Sequence, residues 1–135
     1  MLNKPKKMNA SQSGAPKMHL RENNFGAEVL QSKQPVLVAF LAPWSRPCQI
    51  LDVALGEAAA GCGDRAKIFK VNADDNPELS LWYDIQSIPT LLYFVEGAPC
   101  LRIVGTASKE AILARLEHFG AMSERATDKP AARLR

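Results

Sequence analysis

The sequence predicts an α/β fold in which a central mixed β-sheet is flanked by helices on both faces. Two patterns support this fold class. Apolar runs typical of buried strands alternate with segments of helical periodicity, as in strand–helix units built around a sheet. A hairpin pattern and one last helix then follow, which adds antiparallel strands to the same sheet. The chain has 135 residues, of which 47% are hydrophobic, enough for one domain with a buried core.

The first predicted elements are a short edge strand over residues 17–21 and a helix. The helix begins at Asn23 or Asn24, because asparagine is a good N-cap, and reaches about Ser32. Its apolar residues at helical spacing are Phe25, Val29 and Leu30.

The central strand is predicted over Val36–Leu41, a continuous apolar run bounded by Pro35 and Pro43. A run of this length fits a strand that is covered on both faces. A helix follows, because Ser45 is a good N-cap and Pro47 is tolerated in a first turn. The apolar stripe of this helix is Cys48, Leu51, Leu55 and Ala59, and its end is expected at Gly61 and Gly63.

A second buried strand is predicted over Ala66–Asn72. The short helix after it is expected to have Asn76 as N-cap and Pro77 at its first position, the place where a missing N–H costs least. This helix includes Leu79, Leu81 and Trp82.

The last elements are a hairpin and a helix. The runs Thr90–Val95 and Cys100–Val104, joined by a turn that contains Gly97, predict two antiparallel strands. Ser108 is expected to cap the final helix. The polar residues 120–135 are expected to form a frayed tail.

The charge is distributed unevenly, although the formal net charge is only +3. Residues 1–21 hold five bases and no acid, and residues 120–135 hold four bases and two acids. The stretch between them holds eight bases and twelve acids. Residues 1–16 also lack periodicity and are expected to be a disordered basic tail. Such tails either contact an anionic partner or are simply solvated.

Several classes of protein are disfavoured. No apolar run approaches the roughly 20 residues that cross a bilayer, and the basic N-terminus lacks the apolar part of a secretory signal. Three cysteines do not make a disulfide framework, and neither they nor the two histidines have zinc-binding spacing. There is no phosphate-binding glycine loop and no interleaving of aromatic and basic residues for nucleic acid. We expect a cytoplasmic monomer with no cofactor, no metal, and no nucleic-acid or membrane partner.

The segment Trp44–Cys48 reads Trp-Ser-Arg-Pro-Cys and resembles the active-site segment of thioredoxins, Trp-Cys-Gly-Pro-Cys. The departure is large, because Ser45 stands where the family has its attacking cysteine, which leaves a Ser-X-X-Cys motif. The other motifs that carry the resemblance, in family order, are Val71–Pro77, Ser87–Thr90, Gly97 and Gly105. The resemblance covers about residues 17–119 and implies a thioredoxin-like fold.

The resemblance also implies a site. It makes Cys48 the match of the resolving cysteine, catalytic only if the protein is redox-active, and Ser45 the position of the lost nucleophile. It implies a cis Ile88–Pro89 bond that faces the helix start, in a loop that pairs with an extended peptide by β-addition. The expected partner is a protein or peptide, including one with a thiol or disulfide. The residues assigned to its binding are Trp44, Arg46, Pro47, Ile88, Pro89 and Gly105.

The chemistry that remains is limited. The Ser45 hydroxyl cannot replace a thiol, because it is not ionised near neutral pH and disulfide exchange requires a thiolate. Nothing in the predicted fold brings His19 or His118 to Ser45 as a base. Ala39 stands where many thioredoxins have a buried Asp, so Lys70, the match of the lysine that neighbours this Asp, is expected to lack its acidic partner.

Two hypotheses follow from these residues. The first is a thioredoxin-like protein that has lost dithiol turnover and binds a protein or peptide over the surface of Trp44, Ser45 and Pro89. The alternative is a monothiol thiol–disulfide oxidoreductase in cell redox homeostasis, in which Cys48 exchanges with one disulfide at a time and glutathione resolves it. The alternative requires Cys48 to be exposed.

Overall fold

A computed structural model describes residues 18–20, 22 and 24–128 of the chain. The predicted N-terminal tail over residues 1–16 lies outside the described residues, as do Asn23 and residues 129–135. The mixed sheet with helices on both faces that the sequence predicts is confirmed.

One five-stranded sheet forms the centre of the domain, with the spatial order β1-β3-β2-β4-β5. Strands β1, β2 and β3 are parallel, while β4 and β5 are antiparallel to their neighbours, so the sheet is mixed as predicted. The strand bounds are β1 Met18–His19, β2 Val36–Leu41, β3 Lys67–Asn72, β4 Thr90–Val95 and β5 Ala98–Val104.

Helices cover both faces of the sheet. Their bounds are α1 Gly26–Leu30 (a π-helical turn), α2 Arg46–Cys62, α3 Pro77–Trp82 and α4 Lys109–Asp128. Because successive strand residues point to opposite faces, β2 contributes to two separate cores. Leu37 and Ala39 pack with α2 and α4, whereas Val36, Val38 and Phe40 pack with α1 and α3. The strand predicted to be buried on both faces is therefore the centre of the domain.

The first two helices differ from the prediction in detail. Helix α1 follows Phe25, whose backbone is already helical, and it ends at Leu30, before the predicted end near Ser32. Leu30 is exposed. Helix α2 begins after Ser45 as predicted, and it ends at Gly63, whose φ of +57° suits glycine. Gly61 lies inside this helix, so it does not end it.

Helix α3 has a cap that the sequence did not indicate. Asn76 precedes the helix, but its side chain donates to the Asn72 carbonyl at 3.0 Å and so closes the loop after β3. The carboxylate of Glu22 instead accepts from the backbone N–H groups of Glu78 at 2.9 Å and Leu79 at 3.3 Å. A residue more than fifty positions away therefore satisfies the free donors of the first turn.

The C-terminal elements are longer than predicted. Strand β5 begins at Ala98, two residues before the predicted start, and pairs with β4 across a bulge. The Ser108 hydroxyl accepts from the Ala111 N–H at 3.1 Å, which confirms the predicted cap of α4. That helix continues to Asp128, so the predicted start of the tail at residue 120 is wrong. In the described part of the chain, no helix combines the length and the apolarity that a membrane span requires.

Gly97 provides a test of the β4–β5 turn. Its φ is +81°, and a Cβ built there would lie 2.4 Å from the Leu30 carbonyl oxygen. We expect Gly97→Ala to lower the free energy of unfolding by about 2–4 kcal/mol, because the strain is on the backbone and the clash is with backbone. Urea denaturation measures this change.

The control is Gly56→Ala in helix α2, where an added Cβ meets nothing within 4 Å. We expect this substitution to raise the free energy of unfolding by about 0.5–1 kcal/mol, because alanine favours a helix interior. Equal stability of the two variants would contradict the described turn.

Candidate functional site

The candidate site lies where the C-terminal end of β2 meets the N-terminal end of β4. Phe40 is the register partner of Thr90, so the loops next to them emerge at the same edge of the sheet. The first loop leads through Trp44 into α2, and the second contains the cis peptide bond between Ile88 and Pro89. The segments that the sequence assigned to one site are therefore adjacent in the fold.

Ser45 starts helix α2 and is buried, with 6% of its surface exposed. Its backbone is extended, and its hydroxyl accepts from the Cys48 N–H at 3.3 Å. The Ser45 N–H in turn donates to the Ala42 carbonyl at 3.1 Å. The hydroxyl is thus an N-cap, as predicted, and satisfies one of the free donors of the first turn.

Cys48 lies one turn into α2 and points into the protein. Only 3% of its surface is exposed, and its Sγ accepts from the Ala42 N–H at 3.4 Å. The sulfur is therefore held against the end of β2 beneath the surface of the site. It is not presented to a large substrate.

Trp44 is the most exposed aromatic residue of the site, with 68% of its surface accessible. Its indole Nε1 donates to the Asp74 carboxylate at 2.8 Å. This bond anchors one edge of the ring to the loop after β3 and leaves most of its apolar surface in solvent. Asp74 was not among the predicted site residues, although it belongs to the Val71–Pro77 motif.

The remaining predicted site residues divide by exposure. Arg46 and Pro47 are exposed, Ile88 and Gly105 are half-buried, and Pro89 is buried. The Gly105 N–H donates to the Pro89 carbonyl at 2.9 Å, which ties β5 to the loop before β4.

Val104 was missed by the sequence analysis. It is 62% exposed and is the register partner of Thr90, directly beside the loop that carries the cis bond. Its position next to Gly105, at the end of a predicted strand, could have indicated that it belongs to the site. We call the set Trp44, Arg46, Pro47, Ile88, Val104 and Gly105 the Trp44 surface.

The expectation that Lys70 lacks an acidic partner is wrong. Its Nζ lies 2.8 Å from an Asp52 Oδ1, so a carboxylate on α2 replaces the one absent at Ala39. Asp52 is one helical turn after Cys48. Cys48, Asp52 and Lys70 all line a pocket of about 170 Å³. Because half of the Asp52 side chain is exposed, the pair contributes little to stability.

The other two cysteines offer Cys48 no partner. Cys62 ends α2, fourteen residues after Cys48 and so about 21 Å away along the helix axis. Cys100 lies in β5, five residues or about 17 Å from Gly105, the residue that marks the end of this strand nearest the site. A disulfide needs Cα atoms within about 7 Å. All three cysteines are free.

Neither distant thiol is activated by its surroundings. Burial raises the pKa of the Cys62 thiol, which also contacts the Ala66 carbonyl at 3.6 Å. Although Cys100 is exposed as a residue, its thiol donates to the Tyr93 carbonyl at 3.3 Å, and burial of the sulfur raises its pKa. Cys62 lines a larger cleft of about 830 Å³, but this cleft is at the far end of α2 and plays no part in the site.

Neither histidine supplies a base for Ser45. His118 is exposed on α4, where its ring lies 5.5 Å from that of Phe119. His19 belongs to β1, which β3 separates from β2. Within residues 18–20, 22 and 24–128, no group of three or more His, Cys, Asp or Glu side chains is placed to hold a metal ion.

Comparison with known proteins gives consistent matches. The family model described as Thioredoxin matches residues 16–118. A thioredoxin of Griffithsia pacifica is 40% identical over 96 residues, which are 71% of this chain and 88% of that protein. A thioredoxin of Mycolicibacterium smegmatis is 41% identical over 97 residues, covering 70% of this chain and 87% of that protein.

Solved structures agree with the sequence matches. The crystal structure of chloroplastic thioredoxin z matches with a TM-score of 0.72 and 26% identity. The match covers 77% of this chain and 94% of that one.

The Ser45 cap is tested by substitution. We expect Ser45→Ala to lower the free energy of unfolding by about 1 kcal/mol, because the Cys48 N–H loses its acceptor. Ser45→Asp retains an acceptor and adds a favourable charge at the helix N-terminus, so it serves as the control and should match the parent. If both variants are as stable as the parent, the hydroxyl does not stabilise α2.

Proposed function

Because this chain belongs to the thioredoxin family of thiol–disulfide oxidoreductases, we propose that it binds a protein or peptide partner over the Trp44 surface, above the buried Ser45 and Pro89, without turning over a dithiol. The observation that carries the proposal is the contrast between two neighbouring residues. Trp44 is 68% exposed, whereas Cys48 is 3% exposed.

The exposed side chains support binding. Trp44 and Val104 present apolar surface to solvent on the two sides of the loop that carries Ile88. Tryptophan is enriched among the residues that dominate binding energy, because it buries a large area at little cost in conformational entropy. The bond to Asp74 adds to this, since an indole that is already anchored loses less freedom when a partner covers it.

The chemistry of the site argues against dithiol turnover. A dithiol cycle needs a second thiol within reach of Cys48, and the residue in that position is Ser45, whose hydroxyl is engaged as a cap. Cys62 and Cys100 are too distant to take its place. The site therefore has the exposed Trp44 surface but no cysteine at position 45 to act as the nucleophile.

The alternative is a monothiol oxidoreductase that uses Cys48. It requires the Cys48 sulfur to reach a disulfide of the substrate, and the burial of this residue opposes such an approach. We also propose that the protein acts as a monomer in the reducing cytoplasm, a setting that suits three cysteines that are all free, one of them exposed.

Binding is tested with an extended apolar peptide, the carboxymethylated B chain of insulin, by isothermal titration calorimetry. We expect the parent to bind this peptide and Trp44→Ala to bind about tenfold more weakly or worse, because a central aromatic contact is lost. Trp82→Ala removes an equally exposed tryptophan from α3 and should leave the affinity unchanged. If the two variants bind equally, the Trp44 surface is not the binding site.

Catalytic turnover is tested by measuring how fast the parent protein and its variants reduce insulin disulfides in excess dithiothreitol. We expect the parent to be inert and Ser45→Cys to accelerate the reaction, since this substitution restores the missing thiol to an intact site. Acceleration by the parent that Cys48→Ser abolishes would show that Cys48 works alone, and the proposal would give way to the monothiol alternative.

A further inference from the structure

A second exposed apolar patch lies on helix α3, apart from the Trp44 surface. Leu81 is 80% exposed and Trp82 is 74% exposed, and they are adjacent on a helix of six residues. The sequence placed both in a helix without indicating which way they face. The inward-facing residue of this helix is Leu79, which is fully buried against the sheet.

This patch is surrounded by negative charge. Glu78 lies one turn before Leu81 and Trp82 on the same helix, so the three share a face. We call Glu78, Leu81 and Trp82 the α3 face. The exposed carboxylates that flank it are those of Glu22, Asp74, Asp75 and Asp84.

The sequence around α3 also lacks positive charge. Between Lys70 and Arg102 the sequence contains five acids and no base. Arg102 donates from its guanidinium to the carbonyl of Tyr83 at 2.5 Å and of Asp84 at 3.4 Å, so its hydrogen bonds are directed to the backbone at the end of α3. The α3 face therefore suits a ligand that combines apolar side chains with several positive charges.

One segment of this chain has that composition. Residues 1–17 contain Lys4, Lys6, Lys7 and Lys17 with no acid, together with the apolar residues Met1, Leu2 and Met8. Lysine ammonium groups also interact favourably with the face of a tryptophan ring.

The same segment is tethered close to the α3 face. It joins the described structure at Met18, the first residue of β1, and Glu22 contacts the first turn of α3 only four residues later. Four extended residues span at most about 14 Å, and seventeen span at most about 60 Å, so residues 1–17 reach the α3 face with length to spare. A tether of this length gives an effective concentration in the millimolar range, at which weak contacts suffice.

We propose that the basic residues 1–17 dock on the α3 face of the same chain, with lysines beside the carboxylates and apolar side chains on Leu81 and Trp82. The contact shields the apolar patch. The contact is electrostatic, so salt weakens it. Exposed charges are screened beyond about 10 Å at 0.1 M salt and beyond about 3 Å at 1 M. The proposal does not depend on the function proposed for Trp44.

The test measures the acrylamide quenching of Trp82 fluorescence in the full-length chain. The chain has two tryptophans, so Trp44→Phe leaves Trp82 as the only emitter. In this background, at low salt, we expect the quenching constant to rise about twofold when Lys4, Lys6, Lys7 and Lys17 are all replaced by glutamine, because the ring loses its cover. High salt should produce the same rise without any substitution.

A second variant neutralises the other side of the contact. Glu78→Gln with Asp84→Asn should raise the quenching constant as much as the lysine replacements do, and combining the two sets should add nothing. Glu57→Gln removes a carboxylate that is exposed on α2, on the other face of the sheet, and should have no effect.

Two results would overturn the proposal. Equal quenching constants in all variants, with no response to salt, would mean that residues 1–17 do not cover the α3 face. Protection of Trp82 that disappears on dilution would mean that the segment comes from a second copy of the chain. Because the quenching of Trp82 does not report on peptide binding, a failure here is distinct from a failure of the proposed binding function.

Discussion

The geometry of the site depends on the start of helix α2. The Ser45 hydroxyl accepts from the Cys48 N–H within the first turn of α2, and the Cys48 sulfur accepts from the N–H of Ala42, the residue after β2. The sulfur therefore joins the first turn of the helix to the chain that leaves the strand. These bonds direct Cys48 into the protein and leave Trp44 on the outside. Ser45, which stands where the thioredoxin motif has its first cysteine, thus supplies the contact that caps the helix.

Local signals in the sequence were sufficient for the central strand, for helix α2 and for the caps at Ser45 and Ser108, because each of these depends on residues only a few positions apart. Contacts between distant segments were not predictable in this way. The pairing of Lys70 with Asp52 joins β3 to α2, and it became visible only when the fold placed position 52 over the end of that strand. The exposure of Trp82 was likewise undetermined, because a six-residue helix is too short for periodicity to show its buried face.

The structure separates two properties that a dithiol enzyme combines. In the function that we propose, recognition uses the exposed side chains on loops at one edge of the sheet. Dithiol exchange uses two sulfurs within bonding distance, and Cys48 is the one cysteine of the segment Trp44–Cys48. Because the fold is held by the two cores on either side of β2 and not by the site, the scaffold does not depend on a cysteine at position 45. A scaffold of this kind is suited to binding over the Trp44 surface.

The central claim is that Cys48 has no partner thiol within the chain. The most direct measurement equilibrates the protein in buffers of stepped dithiothreitol redox potential and counts free thiols by mass spectrometry after alkylation in denaturant. We predict three free thiols at every potential, because Cys62 lies about 21 Å from Cys48 along α2 and Cys100 lies about 17 Å from the Gly105 end of β5. The joint loss of two thiols at one midpoint potential, with Cys48 as one of them, would contradict this account.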